Sequence, residues 1–215
     1  MCWNAPVSLA TFITSVIMCA YLWQRNIAND KPFALFIFWF SFMQLFEFFM
    51  WRDMKGHTFV SKLSLIFILL QPLSLVGGLY YFRPTLYKEL WEKLVLLGIG
   101  LISLIKTAVA TFYAFIIETK GKWLSVKGPH CHLIWWFTRH NKLLPLLSRA
   151  NTSYCLLLLA SMLMIKPFSY ALIWFIFSLL SCLYTMKYFP HESGSLWCWI
   201  ATFLGFLAIA APYLS

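Results

Sequence analysis

The sequence predicts an all-α fold, a single polytopic bundle of seven transmembrane helices over residues 1–215. Hydrophobic residues make up 61% of the chain and charged residues only 11%, whereas a soluble domain is roughly half apolar and a quarter charged. Aromatic residues make up 20%, and bilayer interfaces favour Trp and Tyr. The third observation is a series of apolar runs of bilayer-spanning length, which is about 17 to 25 residues for a helix. This composition excludes a soluble globular protein and a disordered chain.

The apolar runs define the helices in chain order. The first four are separated by loops that carry charged residues. The fifth run is too short to cross a bilayer of ordinary thickness, and it spans only if the bilayer thins around it. Pro167 and Pro190 stand where helices should begin or end. The predicted helices cover about residues 7–23, 33–51, 63–82, 94–117, 151–165, 168–188 and 196–214.

Alternation of the helices assigns every loop to one of two faces, which we call the N-terminal face and the opposite face. Ten Lys and Arg residues belong to the N-terminal face and six to the opposite face. The positive-inside rule therefore weakly favours a cytosolic N-terminal face. Six of the ten lie in the connection 118–150, and without them the N-terminal face has four against six on the opposite face. The orientation therefore stays open. The N-terminal face also carries all five histidines, which are His57, His130, His132, His140 and His191.

The connection at about 118–150 is predicted to be a cap folded onto the mouth of the bundle. Its central stretch, GKWLSVKGPHCHLIWWFTRH, is too aromatic for a solvated linker and too interrupted for a membrane span. Gly128-Pro129 is a turn signal, and an extended segment after it would direct His130 and His132 to one side. Imidazole suits zinc or copper. A zinc site at these histidines is one hypothesis, and hydrogen bonding within the cap is the other.

Three cysteines lie at element ends on the N-terminal face. Cys2, Cys131 and Cys198 are candidates for one disulfide if this face is exoplasmic, and for a cluster of free thiols if it is cytosolic. The other three, Cys19, Cys155 and Cys182, lie in or near the predicted spans and are interpreted as small core residues.

Ionisable residues inside the spans mark a candidate ligand pocket, because a charge in hydrocarbon is costly and is usually retained for function. Glu47 lies near the N-terminal face and shares a helix face with Gln44, whereas Lys106 is near the middle of the fourth helix. A Glu47–Lys106 pair, a protonated Glu47 and a snorkelling Lys106 are alternatives. The predicted pocket opens toward the N-terminal face and comprises Gln44, Glu47, Gln71, Lys106 and Tyr113.

Three short blocks carry a resemblance to known sequences. They are the opening Cys2-Trp3-Asn4-Ala5-Pro6-Val7-Ser8-Leu9-Ala10-Thr11, the stretch GPHCHLIWW and the stretch GSLWCW. The chain resembles a group of uncharacterised multi-pass membrane proteins of large DNA viruses and protists, which begin with Cys-Trp and a small polar residue. The resemblance implies no activity. It implies that the shared blocks include Cys2, Trp3, Ser8, His130, His132, Trp197 and Cys198.

Function is narrowed to three hypotheses. The first is binding or transport of a small polar or amphipathic ligand, the second a structural or interaction protein of a membrane, and the third an intramembrane metal-dependent hydrolase. Membrane lipids are expected partners. Nucleic acid is not, because the basic residues sit in short loops. Retinal is not expected either, since the predicted seventh helix has no lysine for a Schiff base.

Overall fold

The computed structural model describes residues 4–117, 123–135 and 150–210 and confirms the all-α, seven-helix prediction. In this part of the chain, six helical segments are long and apolar enough to cross a membrane, and a shorter apolar helix is added to them. The protein is therefore a multi-pass integral membrane protein. The last spanning segment, Ser193–Ala210, consists of two helices joined at Ala201 and Thr202. The helices are α1 (Ala5–Arg25), α2 (Asp30–Arg52), α3 (Thr58–Phe82), α4 (Leu90–Phe112), α5 (Ala150–Leu163), α6 (Phe168–Tyr188), α7 (Ser193–Ile200) and α8 (Phe203–Ala210).

Several helices begin before the apolar runs that predict them, whereas the fourth span ends as predicted at Ile117, after a π-helical turn, Tyr113–Ile117. Helix α3 begins at Thr58 rather than at residue 63, and α4 begins at Leu90 rather than at residue 94. The reason is that hydropathy marks the hydrocarbon, whereas backbone hydrogen bonding continues into the interface. At the start of α1, the Asn4 side chain accepts a hydrogen bond from the backbone N–H of Val7 at 3.1 Å, which caps the helix.

Helices α2 and α3 form the centre of the bundle. Helices α1 to α4 pack in sequence order, α5 packs against α3, α4 and α6, and α8 returns to α1 and α2. Large buried side chains fill the centre, and the Phe33 ring of α2 stacks on Trp174 of α6 with ring centroids 4.2 Å apart. Polar residues on the inward faces of α2 and α3 are therefore withdrawn from lipid.

Ion pairs fasten the opposite face. The Arg25 guanidinium binds the Asp30 carboxylate at 2.7 Å and also donates to the backbone carbonyls of Ala208 and Ile209 in α8. Lys166 lies 2.5 Å from the Glu92 carboxylate. These contacts join the first helix to the last and α4 to the α5–α6 connection, so the loops on this face are anchored structures.

A β-hairpin covers the N-terminal face, as the sequence predicts for the cap. Strand β1 (Val126–Lys127) pairs antiparallel with β2 (Leu133–Ile134). The predicted extended segment at 130–132 is instead the hairpin turn, because Gly128 donates to the His132 carbonyl at 2.8 Å and Cys131 has a left-handed φ of 64°. The rest of the predicted cap, at 118–122 and 136–149, lies outside the described residues.

Candidate functional site

The centre of the candidate site is a carboxyl buried beneath the hairpin. Glu47 of α2 is 0% exposed, as its predicted inward position requires. Trp135, the residue after β2, donates its indole N–H to Glu47 Oε1 at 3.1 Å, whereas Glu47 Oε2 has no hydrogen-bond partner among the described residues. The residue that follows the hairpin is thereby bound to a carboxyl inside the bundle.

Two glutamines of the predicted pocket are also buried in the bundle core. Gln44 is on α2, one turn before Glu47, and Gln71 is on α3; both are 0% exposed. Gln71 Oε1 accepts a hydrogen bond from the Tyr154 hydroxyl of α5. Both amide atoms of Gln44 and the Nε2 of Gln71 have no hydrogen-bond partner among the described residues. Since an unsatisfied buried polar group costs about 1–3 kcal/mol, these amides suit water or a polar ligand.

Trp135 also lines a cavity of about 50 Å³, which is room for a few water molecules. The aromatic part of its wall consists of Trp135, Tyr154 and Trp197. The Tyr154 and Trp197 rings meet edge-on at 6.1 Å, and Trp197 donates to the Ser181 hydroxyl at 3.0 Å. Trp135 thus contacts both the cavity and the Glu47 carboxyl. The sulfur-containing residues of the wall are Cys155, Cys182 and Met186.

Lys106 and Tyr113, the other two residues of the predicted pocket, lie on α4 and the π-helical turn that follows it. Lys106 donates to the Ser153 hydroxyl on α5, and among the described residues it forms no ion pair with Glu47. Ser153 precedes Tyr154, which binds Gln71, so the start of α5 connects α4 to α3. The structure therefore places Lys106 against α5. Of the alternatives predicted for these two residues, it does not show the Glu47–Lys106 pair.

A second buried carboxylate, Glu192, holds the turn of the hairpin. Its Oε1 accepts from the backbone N–H of His130 at 3.0 Å, and its Oε2 accepts from that of His132 at 3.0 Å. The His130 Nδ1 lies 3.2 Å from Oε1. Burial lowers the pKa of His132, with a further decrease from His130 and an opposing increase from Glu192. The hairpin turn is thus bound to the loop that precedes α7.

His57 binds the backbone of Ser125, the residue before strand β1. Its Nε2 accepts the backbone N–H of Ser125 at 2.8 Å, so the proton is on Nδ1, which donates to the Asp53 carbonyl at 2.6 Å. Next to it, the Lys62 ammonium lies 5.4 Å from the ring centroid of the buried Trp123. Together with Glu47 and Glu192, His57 gives the hairpin three polar attachments to the bundle.

Sequence reasoning missed Glu192 and the role of His57. Glu192 follows Pro190-His191 in a short connection and reads as part of a solvated turn. The signal that could have identified Glu192 is the rarity of acidic residues, since the chain has only seven Asp and Glu residues. In an apolar chain, each acidic residue near a span is a candidate anchor.

The predicted metal and thiol clusters are only partly assembled. Among the described residues, no group of three or more His, Cys, Asp and Glu side chains is placed to hold a metal ion, so a zinc site at His130 and His132 stays a hypothesis without a third ligand there. Cys131 is disulfide-bonded and Cys198 is a buried free thiol. Cys198 therefore does not pair with Cys131, and Cys2 lies outside the described residues.

The chain matches no protein-family model, no curated protein and no solved structure. The resemblance to viral and protist membrane proteins stays a prediction from the sequence blocks. Functional inference therefore depends on the geometry of the site.

Proposed function

We propose that this protein binds a small polar ligand and carries it between the N-terminal face and the bundle interior, with the β-hairpin as the gate. The observation that carries the proposal is the position of Trp135, whose indole N–H binds Glu47 and whose ring lines the cavity. Movement of this side chain would join the cavity to the buried carboxyl and to the spare amide groups of Gln44 and Gln71.

The electrostatics of the interior support a gated site. Opening the hairpin hydrates the Glu47 carboxyl, and closing it returns the carboxyl to surroundings of low dielectric constant, where a hydrogen bond or a cation is held more strongly. A ligand with a hydrogen-bond donor or a positive charge suits Glu47, and the amides of Gln44 and Gln71 supply both donors and acceptors.

The access route can be tested without knowing the ligand. Cys198 is fully buried and lies on α7, which packs against α2, the helix of Glu47, so its thiol reports on water reaching the site. We expect a charged methanethiosulfonate reagent to modify Cys198 of the reconstituted protein slowly. Trp135→Phe should accelerate modification about tenfold, because the variant loses a hydrogen bond to a carboxyl worth roughly 1.5 kcal/mol. Peptide mass spectrometry gives the rate for each cysteine.

Two controls make the result specific. Cys19, a buried thiol beside the groove between α1 and α2, should stay unmodified. Trp174→Phe makes the same substitution at a buried Trp stacked on Phe33 and should leave the Cys198 rate unchanged. A Cys198 that is inert in the wild type and in Trp135→Phe would exclude the gate and favour the structural-protein hypothesis.

A further inference from the structure

Three sulfur atoms on α5 and α6 meet beside the cavity. The Cys155 Sγ lies 3.5 Å from the Cys182 Sγ, which lies 3.6 Å from the Met186 Sδ. Cys182 and Met186 are four residues apart on one face of α6, whereas Cys155 comes from α5, 27 residues earlier in the chain. We propose that Cys155, Cys182 and Met186 form a binding site for copper(I).

The ligand set selects the metal. Thiolate and thioether sulfurs are soft ligands that favour Cu(I). Zinc takes Cys, His, Asp and Glu ligands, so a thioether from Met186 discriminates against it. Mg²⁺ and Ca²⁺ require oxygen ligands. A monovalent ion also suits the membrane, because Cu(I) held by one thiolate, one thiol and one thioether forms a neutral complex.

The Cys155–Cys182 and Cys182–Met186 sulfur separations are close to those around a shared ion. Sulfur ligands at about 2.3 Å from one metal ion lie roughly 4 Å from one another, so the observed separations need to widen by only a few tenths of an ångström. Met186 supplies much of this adjustment, because its unbranched side chain is flexible and it is 46% exposed.

The surroundings supply room and access. All three residues line the cavity together with Trp135, Tyr154 and Trp197. Cys182 is 9% exposed, so the ion would be largely withdrawn from water. Cu(I) replaces the proton of a thiol when it binds, and one proton leaves for each thiolate formed. The site does not depend on the Glu47 gate, since its three ligands are on α5 and α6, whereas Glu47 is on α2.

Anaerobic competition with a chromogenic Cu(I) chelator tests the proposal. The probe is the acetonitrile complex of Cu(I) added to the purified full chain in lipid nanodiscs, with ascorbate present. We expect retention of one ion per chain. Cys155→Ser and Cys182→Ser should each weaken retention by more than about 100-fold, since loss of a cysteine ligand exceeds the 10- to 100-fold effect of outer-shell changes. Met186→Leu should weaken retention by about tenfold, because it removes a neutral thioether that is 46% exposed.

Matched variants control for damage to the fold. Cys19→Ser removes a buried thiol on α1 and Met162→Leu removes a buried thioether on α5, and both should retain the ion. X-ray absorption of the loaded protein should show sulfur neighbours only, and Met186→Leu should lose one of them.

Several outcomes would overturn the site. They are unchanged Cu(I) retention in Cys155→Ser, Cys182→Ser and Met186→Leu, a nitrogen- or oxygen-dominated absorption spectrum, and a stable Cys155–Cys182 disulfide in the reduced preparation with no copper affinity. Each of these leaves the gate proposal intact, because its readout is the modification of Cys198.

Discussion

Glu192→Gln should release the hairpin turn from the bundle. In the wild type the carboxylate accepts the backbone N–H groups of His130 and His132, one on each oxygen. The amide keeps one acceptor oxygen and presents an NH₂ group to the other backbone donor. One charge-assisted hydrogen bond is lost and the other becomes neutral, which together cost about 2–3 kcal/mol.

Hydrogen exchange of the hairpin amides measures this cost. A change of 2–3 kcal/mol raises the opening equilibrium roughly 30- to 150-fold, so the amides of Gly128, Cys131 and His132 should exchange faster by that factor in nanodiscs. Amides in the middle of α2 should keep their protection, because opening of the hairpin is a local event.

Glu89→Gln is the matched control. Glu89 is exposed on the opposite face, so its substitution changes the net charge equally without touching the hairpin, and it should leave hairpin exchange unaltered. Hairpin exchange in Glu192→Gln within about threefold of the wild-type rate would refute the reasoning, since that is under 1 kcal/mol.

Three further predictions concern the same hairpin. Gly128→Ala should open it as well, because the added Cβ would lie 2.4 Å from the Glu192 carboxyl carbon; unaltered exchange and melting temperature would contradict this. The hairpin should open more readily as the pH falls below about 6.5, the ordinary pKa of His132. Burial lowers the pKa of His132 in the closed hairpin, so the open hairpin binds the proton more tightly. The loss of stability should continue until the pH reaches the lower pKa of the closed state. Hydrogen exchange corrected for intrinsic rates should show this slope in the wild type and not in His132→Asn, and a pH-independent wild type would count against it. Membrane-impermeant maleimide should label Cys131 of intact cells only after reductant, because a disulfide persists on the oxidising side; labelling that requires permeabilisation would place this face in the cytosol.

Helix number and class were predictable because they depend on a one-dimensional property. A span needs a minimum length of apolar residues, and that length can be read along the chain. Helix ends were less accurate, as the start of α3 at Thr58 shows, since polar residues continue a helix outside the hydrocarbon. The break of the last span at Ala201 and Thr202 has no Pro or Gly to signal it.

The candidate site was predictable in part for the same reason. Position along a helix gives depth, and the polar stripe of α2 gives direction, so burial of Gln44 and Glu47 was expected. The hydrogen-bond partner of Lys106 could not be predicted, because it depends on which helix packs beside α4. The structure places α5 there, and Ser153 rather than Glu47 accepts the hydrogen bond.

The sequence by itself determined the membrane class, the number of helices, the polar residues in the core and the existence of an aromatic cap, because hydropathy and residue type act locally along the chain. Only the tertiary structure decided the pairs on which function depends. These are Trp135 with Glu47, the hairpin turn with Glu192, and the Cys155 and Cys182 thiols. Their members are 27 to 88 residues apart, and contacts at that separation are set by helix packing, which no local pattern encodes.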